Sequence, residues 1–174
     1  MITISKPIPE DSKGIHEVMK TSWYATYPNT KIGITKEDGD VSYTPEVEKK
    51  QIEVLNHRAE NPKDDDISLV AKFEEKVLGY IRLKLYGDNT ELISLYVHPD
   101  YFGNGIGTDL WKEALKFIPK EKPVFVEVAD YTKAVEFYKK VGFVDTGERY
   151  SKDVMPNSGV PMPLMKMVYT NPTL

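Results

Sequence analysis

Three glycines on alternate positions, Gly103, Gly105 and Gly107, stand between a strand-like run ending in Tyr96-Val97 and a helix-like run beginning near Thr108. A backbone this bare can turn to positive φ and lets a ligand approach the main chain closely. Main-chain amides that lead into a helix N-terminus form an anion site, and a pyrophosphate is a natural guest for one. Thr108 would then cap the helix or touch the anion. Read from these residues alone, the alternative is a plain turn. The two familiar phosphate-binding glycine patterns do not fit. A P-loop requires Gly-x4-Gly-Lys-Ser/Thr, and no such run occurs. A dinucleotide fingerprint puts Thr108, or Leu110 in the other count, where its third glycine belongs. Glu127 does lie where such a fingerprint carries its acidic residue, but the fingerprint belongs on the first strand of a βαβ unit, and here a meander precedes it.

The remaining chemistry-bearing residues exclude more than they assign. The 174 residues include no cysteine, which removes disulfides, thiolate metal sites and cysteine nucleophiles together. His16, His57 and His98 share no ligand spacing, so no metal is expected; His98, before Pro99, reads as a turn residue. No nucleophile-elbow sequence occurs. A net charge of −4 gives no basic footprint, so no nucleic-acid partner is expected. The N-terminal MITISKPIPEDSK lacks the apolar core of a signal peptide, and no apolar run approaches the ~20 residues that span a bilayer. These features point to a cytoplasmic enzyme or binding domain with no membrane partner.

The elements that must position the glycines read as follows. Ile2 to Ile4 is a short strand, and a helix runs from about Asp11 to Thr26 with Ile15, Val18, Met19 and Trp23 at helical spacing. YPNTKIGITKEDGD is turn-rich and reads as loop. Thr44-Pro45 is a cap followed by proline at the first helical position, opening a helix towards Arg58. A meander follows: strands 67–73, 77–86 and 91–97. After the glycines, Leu110, Trp111, Ala114, Leu115 and Ile118 stripe a helix. VFVEVA, 124–129, reads as a strand buried on both faces. Ala134, Phe137, Tyr138 and Val141 stripe another helix, stopped by Gly142, and GFVDTGERY and PLMKMVY supply two last strands. Strands 91–97 and 124–129, joined through a helix, are expected to lie parallel.

ELISLYVHPDYFGNGIGTDLWKEAL followed by AVEFYKKVGF resembles the GCN5-related N-acetyltransferases, over about 67–145. That family's signature is Gln/Arg-x-x-Gly-x-Gly/Ala after a strand ending in Val-x-Pro, with a later Asn-x-x-Ala-x-x-Phe/Leu-Tyr segment leading into Gly-Phe. The resemblance implies one α/β (α+β) domain over 1–174, with a mixed, mostly antiparallel central sheet, splayed parallel central strands and flanking helices. It implies acetyl-CoA as co-substrate. Main-chain groups of Leu95, Tyr96 and Val97 would bind its pantetheine arm as an added strand. Gly103, Asn104, Gly105, Ile106, Gly107 and Thr108 would hold the pyrophosphate, and Tyr131 would lie beside the arm. Phe102 stands where the family has Gln/Arg, and Tyr131 where it often has Asn, which leaves side-chain contacts to the cofactor in doubt.

The chemistry implied is acetyl transfer to a primary amine. An alkylammonium of pKa near ~10.4 must lose a proton before it attacks, and the departing thiolate must gain one. Tyr138 matches the family's proton donor; on its stripe it would otherwise be a core tyrosine. Glu91, at the start of its strand, is the candidate general base, with Glu127 next. Trp23, Tyr24 and Tyr27 are candidates for the acceptor wall, although at that spacing they would equally be core. SWYATYP followed by KIGIT resembles the polyamine-acetylating subgroup, and Asp64 to Asp66 with Glu37, Asp38 and Asp40 would suit a polycation. The expected partner is therefore a small-molecule amine, with a peptide or protein N-terminus as rival acceptor. A coenzyme A-binding module without turnover and a nucleotide-dependent oxidoreductase are the other readings, and a homodimer is left open.

Overall fold

The computed structural model describes residues 1–170. Seven strands form a single sheet in the order β1-β2-β3-β4-β5-β7-β6. They are β1 (Ile2–Ser5), β2 (Asp66–Phe73), β3 (Lys76–Leu85), β4 (Thr90–Val97), β5 (Val124–Ala129), β6 (Val144–Val154) and β7 (Pro161–Tyr169). All neighbours are antiparallel except β4 and β5. The helices are α1 (Ser12–Thr26), α2 (Lys36–Ser42), α3 (Pro45–Glu60), α4 (Ile106–Ala114) and α5 (Ala134–Lys140). No helix among the described residues is long and apolar enough to cross a membrane.

Alternation along the strands divides the sheet between two helical layers. On one face Leu69, Ile81, Leu83, Leu92, Val124, Val126 and Met167 pack against Ile106, Leu110, Trp111 and Ala114 of α4 and against Tyr138 of α5. On the other, Val70, Val77 and Tyr80 meet Ile15 and Val18 of α1 and Leu55 of α3. A third, smaller core of Ile34, Ala129 and Met162 joins the segment after α1 to the β6–β7 end of the sheet.

Helix termini follow local chemistry. Thr44 accepts the Val47 amide at 3.4 Å and Pro45 opens α3. At the end of α5, the Gly142 amide reaches the Lys139 carbonyl at 3.1 Å and the Phe143 amide the Tyr138 carbonyl at 2.9 Å. This is the double bond of a Schellman stop.

Two sequence expectations are corrected. The stretch read as loop contains α2, because Asp38 accepts the amide of its N-cap residue Thr35 at 2.9 Å and Gly39 lets the helix close onto Trp23 and Tyr24. The Thr35-x-x-Asp38 spacing was the available signal. Strand β5 is not buried on both faces, since Phe125 is half-buried and Glu127 exposed. Helices α1 and α3 cover the β2–β4 half of that face and leave β5 and β7 open.

Candidate active-site cleft

The feature that opens the sheet is the brevity of the one parallel pairing. Thr90, Glu91 and Leu92 pair with Val124, Phe125 and Val126, and there the β4–β5 ladder ends. Beyond it, Leu95, Tyr96 and Val97 pair only with β3, opposite Ile81, Tyr80 and Gly79. A register shift between Arg82 and Leu83 leaves Ile93 as an extra, exposed residue at the divergence. A bulge increases local twist and re-aims the strand. The gap between the diverging strands is a cleft of about 680 Å³, and its lining includes Leu95–Val97, Val126–Val128 and Tyr138.

The glycine loop closes one end. Gly103 and Gly105 take φ of +82° and +84°, and Gly105 is the N-cap of α4. A Cβ at either would meet no heavy atom within 4 Å, so the backbone angle, not space, calls for glycine there. The first intrahelical amide to find an acceptor is Asp109, bonded to the Gly105 carbonyl at 2.9 Å. The amides of Ile106, Gly107 and Thr108 are therefore left pointing out of the helix, the arrangement that binds anions. Helix α4 begins two residues earlier than expected, so Thr108 is its third residue and not its cap, though it still lines the cleft.

Four tyrosines meet at the other end. The Tyr27 phenol, just past the end of α1, neighbours that of Tyr96, and burial raises both. The Tyr131 hydroxyl donates to the Tyr27 carbonyl at 2.8 Å and contacts the Met162 sulfur at 3.4 Å. Tyr138 is 6% exposed, packed edge-on against Phe137 and Phe143. Burial, and then the neighbouring Tyr27, pushes the Tyr138 phenol well above its ordinary value. It therefore stays protonated across the physiological range, a hydrogen-bond donor that does not titrate there. Burial likewise pushes Tyr131 up to about 12.

The open face beside the cleft carries charge. Glu91, Phe125 and Glu127 share it, because their neighbours Leu92, Val124 and Val126 point into the core. Glu127 lines the cleft, accepts from Lys152 at 3.3 Å and neighbours the Tyr150 phenol. Burial, then Glu127 and after it the charges of Glu148 and Glu91, raise the Tyr150 phenol. The Lys166 ammonium stands 4.6 Å over the Phe125 ring and 4.0 Å from Glu148.

Of the residues singled out from sequence, the cleft brings together Leu95, Tyr96, Val97, Gly103, Gly105, Ile106, Gly107, Thr108, Tyr131, Tyr138 and Tyr27. Asn104, Glu91, Trp23 and Tyr24 are not among its lining residues. Trp23 and Tyr24 are taken up in an aromatic cluster with Tyr43, and the Tyr24 hydroxyl donates to Asp40 at 2.6 Å. Of the acidic residues considered for a polycation, Asp38, Asp40, Asp65 and Asp66 have internal partners. Asp65 pairs with Lys84, Asp66 with Arg82, and Asp38 is buried under main-chain amides. His98 accepts the Asp100 amide at 3.3 Å and serves the turn. Lys133 and Lys140, the N-cap and the last residue of α5, also line the cleft and went unnoticed in the sequence because nothing in their local pattern separates them from solvated lysines. Among the described residues no group of three or more His, Asp or Glu side chains is placed to hold a metal.

A sheet opened at a short parallel pair, with unpartnered strand groups and a glycine-capped helix at its mouth, is the arrangement that the family resemblance implied. The sequence matches the acetyltransferase (GNAT) domain over residues 33–166, and the chain belongs to that family. It is 33% identical over 121 residues, 69% of this chain and 72% of the relative, to a spermidine N(1)-acetyltransferase of Thermoplasma acidophilum. It is 38% identical over 76 residues to a peptidyl-lysine N-acetyltransferase, YjaB, of Salmonella typhimurium, covering 44% of this chain and 48% of that one. Among solved structures, the PaiA N-acetyltransferase of Thermoplasma acidophilum in complex with coenzyme A superposes with a TM-score of 0.65 at 25% identity, over 98% of this chain and 99% of that one. The protein is thus an acetyl-CoA-dependent N-acetyltransferase.

Proposed function

We propose that the acceptor is a small primary amine of the polyamine type. The observation that carries this is the open face at the cleft, where the exposed Glu127 lines the cleft and shares a face of the β4–β5 pair with Glu91. An ammonium is drawn to such a face by charge and held by aromatic surface. The similarity to a spermidine acetyltransferase supports the same reading.

The residues present fit acetyl-CoA, which supplies an acetyl group activated as a thioester when bound. Main-chain groups of Leu95–Val97 would pair with its amides, and the open amides of Ile106–Thr108, with no side chain at Gly103 or Gly105 in the way, would hold its pyrophosphate. Lys133 and Lys140 add positive charge along the same cleft. Glu127, directly or through water, takes the proton that the incoming ammonium must shed, with Glu91 setting the negative field behind it. Tyr138 donates its hydroxyl hydrogen towards the departing sulfur, and its closed surroundings keep water away.

The test is a comparison of spermidine, a monoamine of similar length and a peptide with a free N-terminus, followed by thiol release. Spermidine is expected to be the best of the three, and Glu127→Gln to lower kcat with both amines, as loss of the base must, while raising the spermidine KM about tenfold and the monoamine KM less. Turnover of the peptide alone would replace the polyamine reading with that of a peptide acetyltransferase.

A further inference from the structure

Asp38 is a fully buried carboxylate that the reaction does not use. One oxygen accepts the Thr35 amide at 2.9 Å, which completes the start of α2. The other has no role in the helix. It accepts the amides of Asn157 at 3.0 Å and Ser158 at 2.7 Å, at the far end of the chain in the β6–β7 connection. Burial would raise the group, and the amides of Thr35, Ser158 and Asn157 more than offset that and hold it below the usual carboxylate range. A charge kept in so closed a place ties its two segments together strongly.

Neither segment supplies a lining residue of the cleft; both reach it through the third core behind its wall. The β6–β7 connection is closed on itself by the Met155 amide to the Val160 carbonyl at 2.8 Å and the Gly159 amide to the Met155 carbonyl at 2.9 Å. Val160 packs at Gly33, where an added Cβ would come within 3.0 Å of its methyl carbon. Gly33 belongs to the turn closed by the Asn29 amide and the Ile34 carbonyl at 2.8 Å. Ile34 and Met162 form the third core, with Tyr27, Tyr131 and Val160 packed around it. From that turn, Tyr27, Pro28 and Asn29 face the cleft.

We propose that Asp38 is a positioning residue for the acceptor side of the cleft, clasping the β6–β7 connection onto the turn after α1 so that Tyr27–Asn29 stand as a fixed wall. It acts through Val160, Ile34 and Tyr131 and touches neither reacting partner. The main-chain groups proposed to hold acetyl-CoA, Leu95–Val97 and Ile106–Thr108, are fixed by pairing with β3 and by α4; of the cofactor residues only Tyr131, beside the pantetheine arm, also packs in the clasped core. The two binding steps therefore separate. Loosening Asp38 weakens capture and alignment of the amine and leaves acetyl-CoA binding as it was.

The experiment compares Asp38→Ala and Asp38→Asn with Leu55→Ala, which removes buried contacts between α1 and α3 and serves as the control for lost stability. Spermidine is the probe amine. Asp38→Ala is expected to raise its KM about ten- to a hundredfold, the scale of a misplaced wall, with the acetyl-CoA dissociation constant changed by less than about twofold. Asp38→Asn keeps one oxygen for Asn157 and Ser158 but turns an N–H towards that of Thr35, and should fall between. It also carries the test if the alanine variant does not fold. Hydrogen exchange of the Asn29 amide should quicken in both Asp38 variants and not in Leu55→Ala. If acetyl-CoA affinity falls in step with the amine KM, or Leu55→Ala reproduces the effect, Asp38 is merely structural and the proposal is overturned. The proposal also rests on the amine acceptor reading only in part: should the wild type leave spermidine untouched, that reading falls, and the exchange of Asn29 alone decides for or against the clasp.

Discussion

Gly105 allows the strain of the loop to be separated from its electrostatics. Its φ of +84° is unfavourable for a side chain, while an added Cβ would meet nothing within 4 Å. Alanine there has room but the wrong backbone preference, at a cost of roughly 1–2 kcal/mol. For a chain of this size each kcal/mol moves the unfolding midpoint about 2–4 °C, so Gly105→Ala should melt about 2–8 °C lower. Asparagine and aspartate visit this region more readily and both suit an N-cap, so each should be more stable than alanine. They differ from one another only in charge. A carboxylate about 6 Å from a doubly charged pyrophosphate, at an effective dielectric constant of about 40–80, is repelled by roughly 1.4–2.8 kcal/mol. Acetyl-CoA should therefore bind Gly105→Asp about ten- to a hundredfold more weakly than Gly105→Asn, and the ratio should shrink as salt is added. Titration calorimetry gives the affinities and thermal unfolding the stabilities. The two rankings cross: aspartate outranks alanine in stability and falls below it in binding. Equal affinities for the Asn and Asp variants would mean that no anion sits at the loop, and an alanine variant as stable as the asparagine one would remove the strain argument.

Two further outcomes follow from the buried titratable groups. Tyr138→Phe should lower kcat by about a hundredfold while leaving acetyl-CoA affinity within about twofold; because burial raises this phenol, wild type and variant should share the same basic limb in their pH–rate profiles. A wild-type rate in the variant would make Tyr138 a core residue only. His16 is 2% exposed with no hydrogen-bond partner for Nε2, and burial, against the pull of Glu48 and Glu17 and with the help of Lys20, lowers its pKa. A histidine depressed in the fold contributes stability that is present above its unfolded value of about 6.5 and is lost as pH falls below it. Urea unfolding should show the wild type weakening between pH 7 and pH 5, and His16→Gln weakening less; parallel curves would place the acid sensitivity elsewhere.

What could be read from the sequence, and what could not, divides by the range of the interactions. Glycine conformation, strand alternation and helix stripes are local, so the meander, the glycine loop, α4, α5 and the parallel pair were all legible in order. The divergence of β4 and β5 was carried by a family resemblance, since the pairing ends after Leu92 for reasons that lie across the sheet, in the bulge at Ile93. The acceptor side was read least well. Acidic residues announce charge but not its partner, and Asp38, Asp65 and Asp66 look alike in sequence although one holds main-chain amides and two hold cations. Trp23 and Tyr24 stand within a turn of Tyr27 on the same helix, yet only Tyr27 reaches the cleft, because α2 lies over the other two. Glu127 was read from sequence as second choice for general base, behind Glu91; its place on a face of β5 that α1 and α3 stop short of covering was not legible. The motifs that carry the family resemblance are thus contiguous, around β4, α4 and α5, while the acceptor side as proposed rests on contacts between segments more than a hundred residues apart. Substitutions that retune the acceptor should accordingly be found among residues such as Asp38, Tyr131 and Val160, where no motif marks them.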